Sequence, residues 1–216
     1  MRLFLVRHAE SLGNREMRLQ GRRDFPLTEQ GWHQVAALAA RLAALPLAAV
    51  YASPIRRAMD TAAPIAEQVR LDVRIEPRIQ EYDFGEALSG LTWREIRERE
   101  PALIEALLGS EADFPCYPGE EGREPFRQRV RGAMWEIVGR HEADEAVVVV
   151  THAGPITVFL LEALGRPYRR PIPFAIDNAS VTTVEFNSNA PPNFPRAVLV
   201  GLNDTCHLRA TNVDCW

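Results

Sequence analysis

The 216-residue chain contains no lysine; all 25 of its basic residues are arginine. That absence excludes a P-loop nucleoside triphosphatase, whose phosphate-gripping motif needs lysine, and a pyridoxal-phosphate enzyme, which holds its cofactor as a lysine Schiff base. It also excludes phosphatases that combine an aspartate nucleophile with a lysine. The bias itself has a simple source in genomic base composition. Cysteine is scarce too: Cys116, Cys206 and Cys215 have no metal-like spacing, and their odd number argues against a disulfide framework. No apolar run reaches the ~18 residues of a membrane helix. Met1-Arg2 leads straight into a short strand with no secretion signal, so a cytoplasmic location is expected. The net charge of −4, without a basic tail or stripe, argues against nucleic acid as a partner.

What is present fits one globular domain, with 46% hydrophobic and 25% charged residues. Leu3 to Val6 is a short apolar run that predicts a buried strand. Val35, Leu38, Ala39 and Leu42 recur at helical spacing behind Thr28, an expected N-cap. Ala49 to Ala52 reads as a second strand, with Ser53 capping a helix that has Pro54 at its first position. Pro64 should kink or interrupt that helix. A third strand is expected at Val73 to Ile75, and helices at Trp93 to Glu100 and from Pro101 to Leu108. Glu111 to Gly122 reads as a surface loop; Phe126, Val130, Met134, Ile137 and Val138 mark an amphipathic helix. Val147 to Val150 is a β-branched run without polar alternation, as in a central parallel strand. Gly154-Pro155 opens a further helix ending near Leu164-Gly165. Val181 to Phe186 and Ala197 to Leu202 predict two last strands, joined by the loop Asn187 to Pro195. Alternating strands and helices give the expected fold: a single-domain, three-layer α/β/α sandwich with a mostly parallel central sheet.

Ligands of such sheets sit beyond the carboxyl ends of the strands. Three strands end in residues suited to phosphate: Arg7-His8, Ser53 to Arg57, and Thr151-His152-Ala153-Gly154. Were those strands parallel neighbours, two histidines and at least two arginines would converge. Arginine's planar fork binds phosphate oxygens bidentately and keeps its charge. A neutral histidine offers a ring nitrogen that can attack phosphorus. A second histidine, cationic beside so much phosphate charge, would stabilise the transition-state oxygens, helped by the N-terminus of the helix at Gly154.

Leu5-Val6-Arg7-His8-Ala9-Glu10-Ser11 resembles the signature of the histidine phosphatase superfamily, or phosphoglycerate mutase-like family. Gln20-Gly21, Pro26-Leu27-Thr28, Gly31, Ser53-Pro54, Arg57-Ala58, Thr61-Ala62, Glu81, Phe84-Gly85, Gly119-Glu120, Phe126 and Arg129-Val130 follow in the family's order. Val149 to Gly154 and Asn178-Ala179-Ser180 complete the resemblance, which runs from residue 3 to about Leu208. It implies a histidine phosphatase domain over 1–208, a helical and loop cap inserted around 86–125, and a C-terminal tail at 209–216. It further implies that His8 is the nucleophile and Glu81 the acid that protonates the leaving oxygen and then deprotonates water. Arg7, Arg57 and His152 would surround the phosphoryl group, with Asn14, Ser11, Gly21 and Ala153 as further substrate contacts. No metal or cofactor is implied. Two positions depart from the usual pattern: Ser89-Gly90 where many members have Glu-Gly, and Ala9 where Gly is commoner.

Some assignments have competitors. Motif spacing favours Arg57 over Arg56, and Glu81 over Glu86. His33, His141 and His207 match no catalytic position. Arg15, Arg18, Arg22 and Arg23 either select a second anionic group or form a solvated cluster with Glu16 and Asp24. The expected partner is a small phosphorylated metabolite. A phosphoglycerate mutase would need more basic residues than the Arg94, Arg97 and Arg99 found between Glu86 and Gly122, so hydrolysis is favoured over phosphoryl transfer and over a non-catalytic scaffold. A homodimer stays open, with Trp216 and the tail as its contact.

Overall fold

The computed structural model describes residues 1–109, 118–168, 172–187 and 196–209, the side chains of 106–109 excepted. Six strands form one sheet: β1 (Arg2–Arg7), β2 (Leu47–Ala52), β3 (Val73–Ile75), β4 (Ala146–Thr151), β5 (Val181–Phe186) and β6 (Ala197–Asp204), in the order β3-β2-β4-β1-β5-β6. β4 pairs in parallel with both β1 and β2, β2 in parallel with β3, and the β1–β5 and β5–β6 pairs are antiparallel. The β-branched run is therefore central, as its composition predicts.

The period-two alternation of these strands divides the core. Leu3, Leu5, Ala49, Tyr51, Val147 and Val149 face α7 (Arg123–Gly139) and α8 (Ala153–Ala163). Phe4, Val6, Val50, Ala52, Val148 and Val150 face the opposite layer, α2 (Glu29–Ala43) and α3 (Arg56–Val69). Val147 to Val150 are fully buried, each contributing about 1.5–3 kcal/mol of transfer free energy. The three expected layers are present. Shorter helices complete the chain: α1 (Leu12–Arg15), α4 (Gly85–Leu88), α5 (Trp93–Arg99) and α6 (Pro101–Gly109). Among the described residues no helix is long and apolar enough to cross a membrane.

Several local expectations are corrected. Thr28 caps α2 as predicted, its hydroxyl accepting from Gly31 N at 2.9 Å. Ser53 does not cap α3: the N-cap is Ile55, two residues later, and the Ser53 hydroxyl turns to a histidine instead. α3 runs without interruption through Pro64. One missing N–H is outweighed by the face that Ala58, Ala62, Ile65 and Ala66 bury against the sheet. Cys206 is disulfide-bonded. Three cysteines still allow one bridge, so the parity argument excluded a framework and not a single bond; the partner sulfur lies outside the described residues. Most of the loops expected at Glu111 to Gly122 and Asn187 to Pro195 lies outside them too, as does the tail from residue 210 with Trp216.

Candidate active site

Because β4 lies between β1 and β2, the three phosphate-suited segments emerge side by side. Arg7 is in register with Thr151, and the ladders continue one residue further: His8 N donates to Thr151 O at 2.9 Å and Ser53 N to Val150 O at 3.0 Å. His8 leaves the sheet anchored on both sides. Its carbonyl accepts from Asn178 Nδ2 (3.0 Å), and Ala9 N donates to Thr61 Oγ1 (3.0 Å).

The His8 ring is buried, with Nδ1 2.8 Å from Ala9 O. A carbonyl only accepts, so Nδ1 carries the proton and Nε2 keeps its lone pair. Arg57 Nε donates to that Nε2 at 3.1 Å. Burial, and then the charges of Arg57 and Arg7, push the His8 pKa well below that of a free imidazole. The ring is neutral, the state a nucleophile requires. His152 is fully buried 5.2 Å away, centroid to centroid, with Nε2 2.9 Å from Ser53 Oγ and Nδ1 without a partner. Its pKa is likewise pushed well down, by burial and by Arg57, His8 and Arg7. In the free site His152 is therefore neutral; the imidazolium is expected of the site with phosphate in it. Dehydration, which no motif shows, and the guanidiniums of Arg57 and Arg7 decide its charge in the free site.

The structure places Arg57 beside His8 and Arg56 at the surface. Arg57 is 1% exposed, and its remaining nitrogens donate to Gly21 O (2.7 Å) and Arg23 O (3.0 Å). Arg56 is surface-exposed and pairs with Asp60. Burial lowers the Arg57 pKa to about 10, still cationic at neutral pH. Arg7 donates to Ile176 O at 2.6 Å, and its buried Nε has no partner. Gly21, at φ +53°, accepts from Arg57 through its carbonyl. The Ser11 hydroxyl lies 2.8 Å from Asn14 Oδ1 and 2.7 Å from Gln20 Oε1, contacts that orient Asn14. Asn14 also accepts from Asn178 through Oδ1, which leaves Nδ2 as the donor it can present to phosphate.

Glu81 stands at the N-terminus of α8, where Ala153 is the first residue. Its carboxylate accepts from Tyr82 N (2.9 Å) and Gly154 N (3.2 Å). That approach needs glycine: a Cβ on Gly154 would sit 2.2 Å from Glu81 Oε1. Glu86 is exposed and lies elsewhere. A cavity of about 220 Å³ opens beside Glu81 and Gly154.

Other predicted residues lie outside the cluster. Arg18 bonds Glu16, Glu95 and Gly90 O, Arg22 bonds Glu121, Arg23 bonds Ser89 O, and Arg15 is exposed. His33 is exposed, His141 bonds Tyr51 and Glu145, and His207 bonds Arg41. Sequence reasoning missed Ser53 as the partner of His152, and the pair Arg129–Glu121. Arg129 donates to the carbonyls of Arg78 (2.7 Å), Gln80 (2.8 Å) and Glu81 (3.0 Å), which clamps the segment that carries the acid. The repeated carbonyl contacts leave no trace in the residue pattern. Among the described residues no group of three His, Cys, Asp or Glu side chains is placed to hold a metal ion.

A sequence profile of the Histidine phosphatase superfamily (branch 1) matches residues 3–193. Phosphoserine phosphatase 1 of Hydrogenobacter thermophilus is 35% identical over 208 residues, covering 96% of this chain and 94% of that protein. A metal-independent phosphoserine phosphatase of Arabidopsis thaliana is 36% identical over 162 residues, 74% of this chain and 67% of the other. Among solved structures, Bacillus stearothermophilus YhfR superposes with a TM-score of 0.85 at 29% identity, covering 96% of this chain and 99% of that one.

Proposed function

Because the chain belongs to the histidine phosphatase superfamily and is a phosphatase, we propose that it hydrolyses small phosphomonoesters without a metal, through a phosphohistidine on His8. The observation that carries this reading is the state of His8: a buried neutral ring, its proton held on Nδ1 by Ala9 O and its Nε2 lone pair beside Arg57.

His8 Nε2 attacks phosphorus, and the bond to the leaving oxygen breaks as the N–P bond forms. Glu81 gives that oxygen its proton. The resulting carboxylate then takes a proton from water, whose oxygen displaces His8 and releases inorganic phosphate. Arg7, Arg57, Asn14 and His152 Nδ1 receive the phosphoryl oxygens. Removing one such donor typically costs about 10²–10³ in kcat. The positive end of α8 adds to this field.

The names of the two relatives make phosphoserine the first ester to assay. A mutase reading gains nothing from the described cap: Arg94, Arg97 and Arg99 are exposed on α5, with Arg94 facing Glu98. Phosphate release from a panel of metabolite phosphates in EDTA, for wild type and His8→Ala, tests the proposal. Release by wild type alone is expected. Release that needs added magnesium, or survives in His8→Ala, contradicts it.

A further inference from the structure

His152 is neutral in the free site, so its worth as a donor depends on which ring nitrogen holds the one proton. Nε2 lies 2.9 Å from Ser53 Oγ, while Nδ1 is buried without a partner and is the atom left for a phosphoryl oxygen. A proton on Nδ1 makes that atom a donor. A proton on Nε2 instead would turn the Nδ1 lone pair toward the phosphoryl oxygens, and the two would repel.

The Ser53 hydroxyl decides between the two tautomers. Ser53 is fully buried, so its proton must find an acceptor inside the protein. Among the described residues Oγ has two partners, Ile55 N at 3.3 Å and His152 Nε2 at 2.9 Å. The Ile55 N–H only donates; it occupies a lone pair of Oγ and offers the hydroxyl proton no place. Nε2 is then the acceptor, which means that it carries no proton itself and that the ring proton stands on Nδ1. The opposite tautomer would have Ile55 N and Nε2 both donating to Oγ, leaving the buried hydroxyl proton unpaired.

The main chain holds both partners on the sheet. Ser53 N donates to Val150 O at 3.0 Å, on the strand that ends one residue before His152. The Thr151 hydroxyl donates to Ile79 O at 2.5 Å, and His152 O accepts from Ile156 N at 3.2 Å as α8 begins.

We propose that Ser53 is a positioning residue for the reaction: its hydroxyl donates to His152 Nε2 and so keeps a proton on Nδ1, toward the transferred phosphoryl group. The arrangement serves either charge of the ring. When phosphate draws a second proton from solvent onto His152, that proton enters at Nε2 and the hydroxyl turns to accept it, with Nδ1–H unchanged. The inference rests on the phosphohistidine reading and adds to it a residue that acts through His152.

Two measurements test it. Nitrogen-resolved NMR of the free enzyme at pH 7, assigned by comparison with His152→Gln, should show His152 protonated on Nδ1 and bare on Nε2. The reverse tautomer overturns the inference. Phosphate release from p-nitrophenyl phosphate, whose leaving group needs no proton from Glu81, is then followed for wild type, Ser53→Ala, His152→Gln and the double variant. Ser53→Ala should lower kcat about 10- to 100-fold, the effect of a misdirected transition-state donor, with KM little changed. In the His152→Gln background the same substitution should change kcat less than about twofold, because Ser53 reaches the phosphoryl group only through the imidazole. Equal losses in the two backgrounds, or an unchanged kcat in Ser53→Ala, overturn the inference and leave the phosphohistidine reading standing. Absence of His8-dependent release from wild type overturns that reading itself, and the tautomer measurement still tests the Ser53 contact.

Discussion

Removing the Arg129 guanidinium should weaken the fold and disable the acid in a way that depends on the leaving group. Arg129 holds the carbonyls of residues 78, 80 and 81 and forks onto Glu121, with one contact to Oε2 at 2.8 Å and another to Oε1. The two side chains are 16% and 11% exposed. Burial opposes ionisation of Glu121, but Arg129, the Asp83 N–H and Arg22 outweigh it and hold its pKa below the usual carboxylate value. Breaking a fully buried pair costs about 3–5 kcal/mol; partial exposure reduces this to about 2–4 kcal/mol for Arg129→Gln. The clamp acts on the main chain of Glu81, so the catalytic loss belongs to proton donation. Ethyl phosphate, whose leaving alkoxide needs a proton, should lose about 10²-fold in kcat/KM, and p-nitrophenyl phosphate, whose phenolate does not, less than about tenfold. Arg129→Lys keeps the charge without the fork and should fall between. Urea unfolding checks the first figure and phosphate release the second. Equal losses for the two esters, or no loss, would refute the positioning argument and leave Arg129 a structural residue only.

Other consequences follow from the buried histidines and from Gly154. Nitrogen-resolved NMR of His8 should report a neutral ring protonated on Nδ1 at pH 7 and no appreciable protonation at pH 6.5, where a free imidazole is half charged, because its pKa is depressed well below 6.5; a half-protonated ring at pH 6.5 would contradict this. His8 and His152 lie well below 6.5 in the folded state, and burial beside Arg41 lowers His207 to about 4. Below pH 6.5 the unfolded chain therefore binds more protons. Stability should be fully present above that pH and decline toward pH 4, with a slope of up to about 1.4 kcal/mol per pH unit for each titrating group. A flat denaturant midpoint from pH 7 to 5 would exclude it. Gly154→Ala places a Cβ 2.2 Å from Glu81 Oε1 and should displace the acid. A kcat for alkyl phosphates lowered about 10²-fold is expected, and unchanged kinetics would show that Glu81 can act from another position.

The parts of this account legible in sequence were those carried by local pattern. The run Val147 to Val150 declared a central strand, and once it lay between β1 and β2 the convergence of Arg7-His8 with Thr151-His152 followed. Arg57 was separable from Arg56 by motif spacing, and the structure supplies the physical reason: one faces His8 and the other water. What stayed hidden depends on segments far apart in the chain. Ser53 reads as a helix cap, yet its hydroxyl meets His152 across 99 residues. Arg129 sits in an ordinary amphipathic helix, and its carbonyl contacts lie 48 to 51 residues away. The neutral state of His152 in the free site was not legible either, because dehydration is a property of the packed site.

Trapping the phosphoenzyme tests the central claim most directly. Wild type mixed with a phosphomonoester, quenched within milliseconds and digested, should yield a peptide containing His8 that carries one phosphoryl group. The adduct should be labile to acid, stable to alkali and absent from His8→Ala. A phosphoryl group on another residue, or steady turnover with no covalent adduct at any quench time, would contradict it.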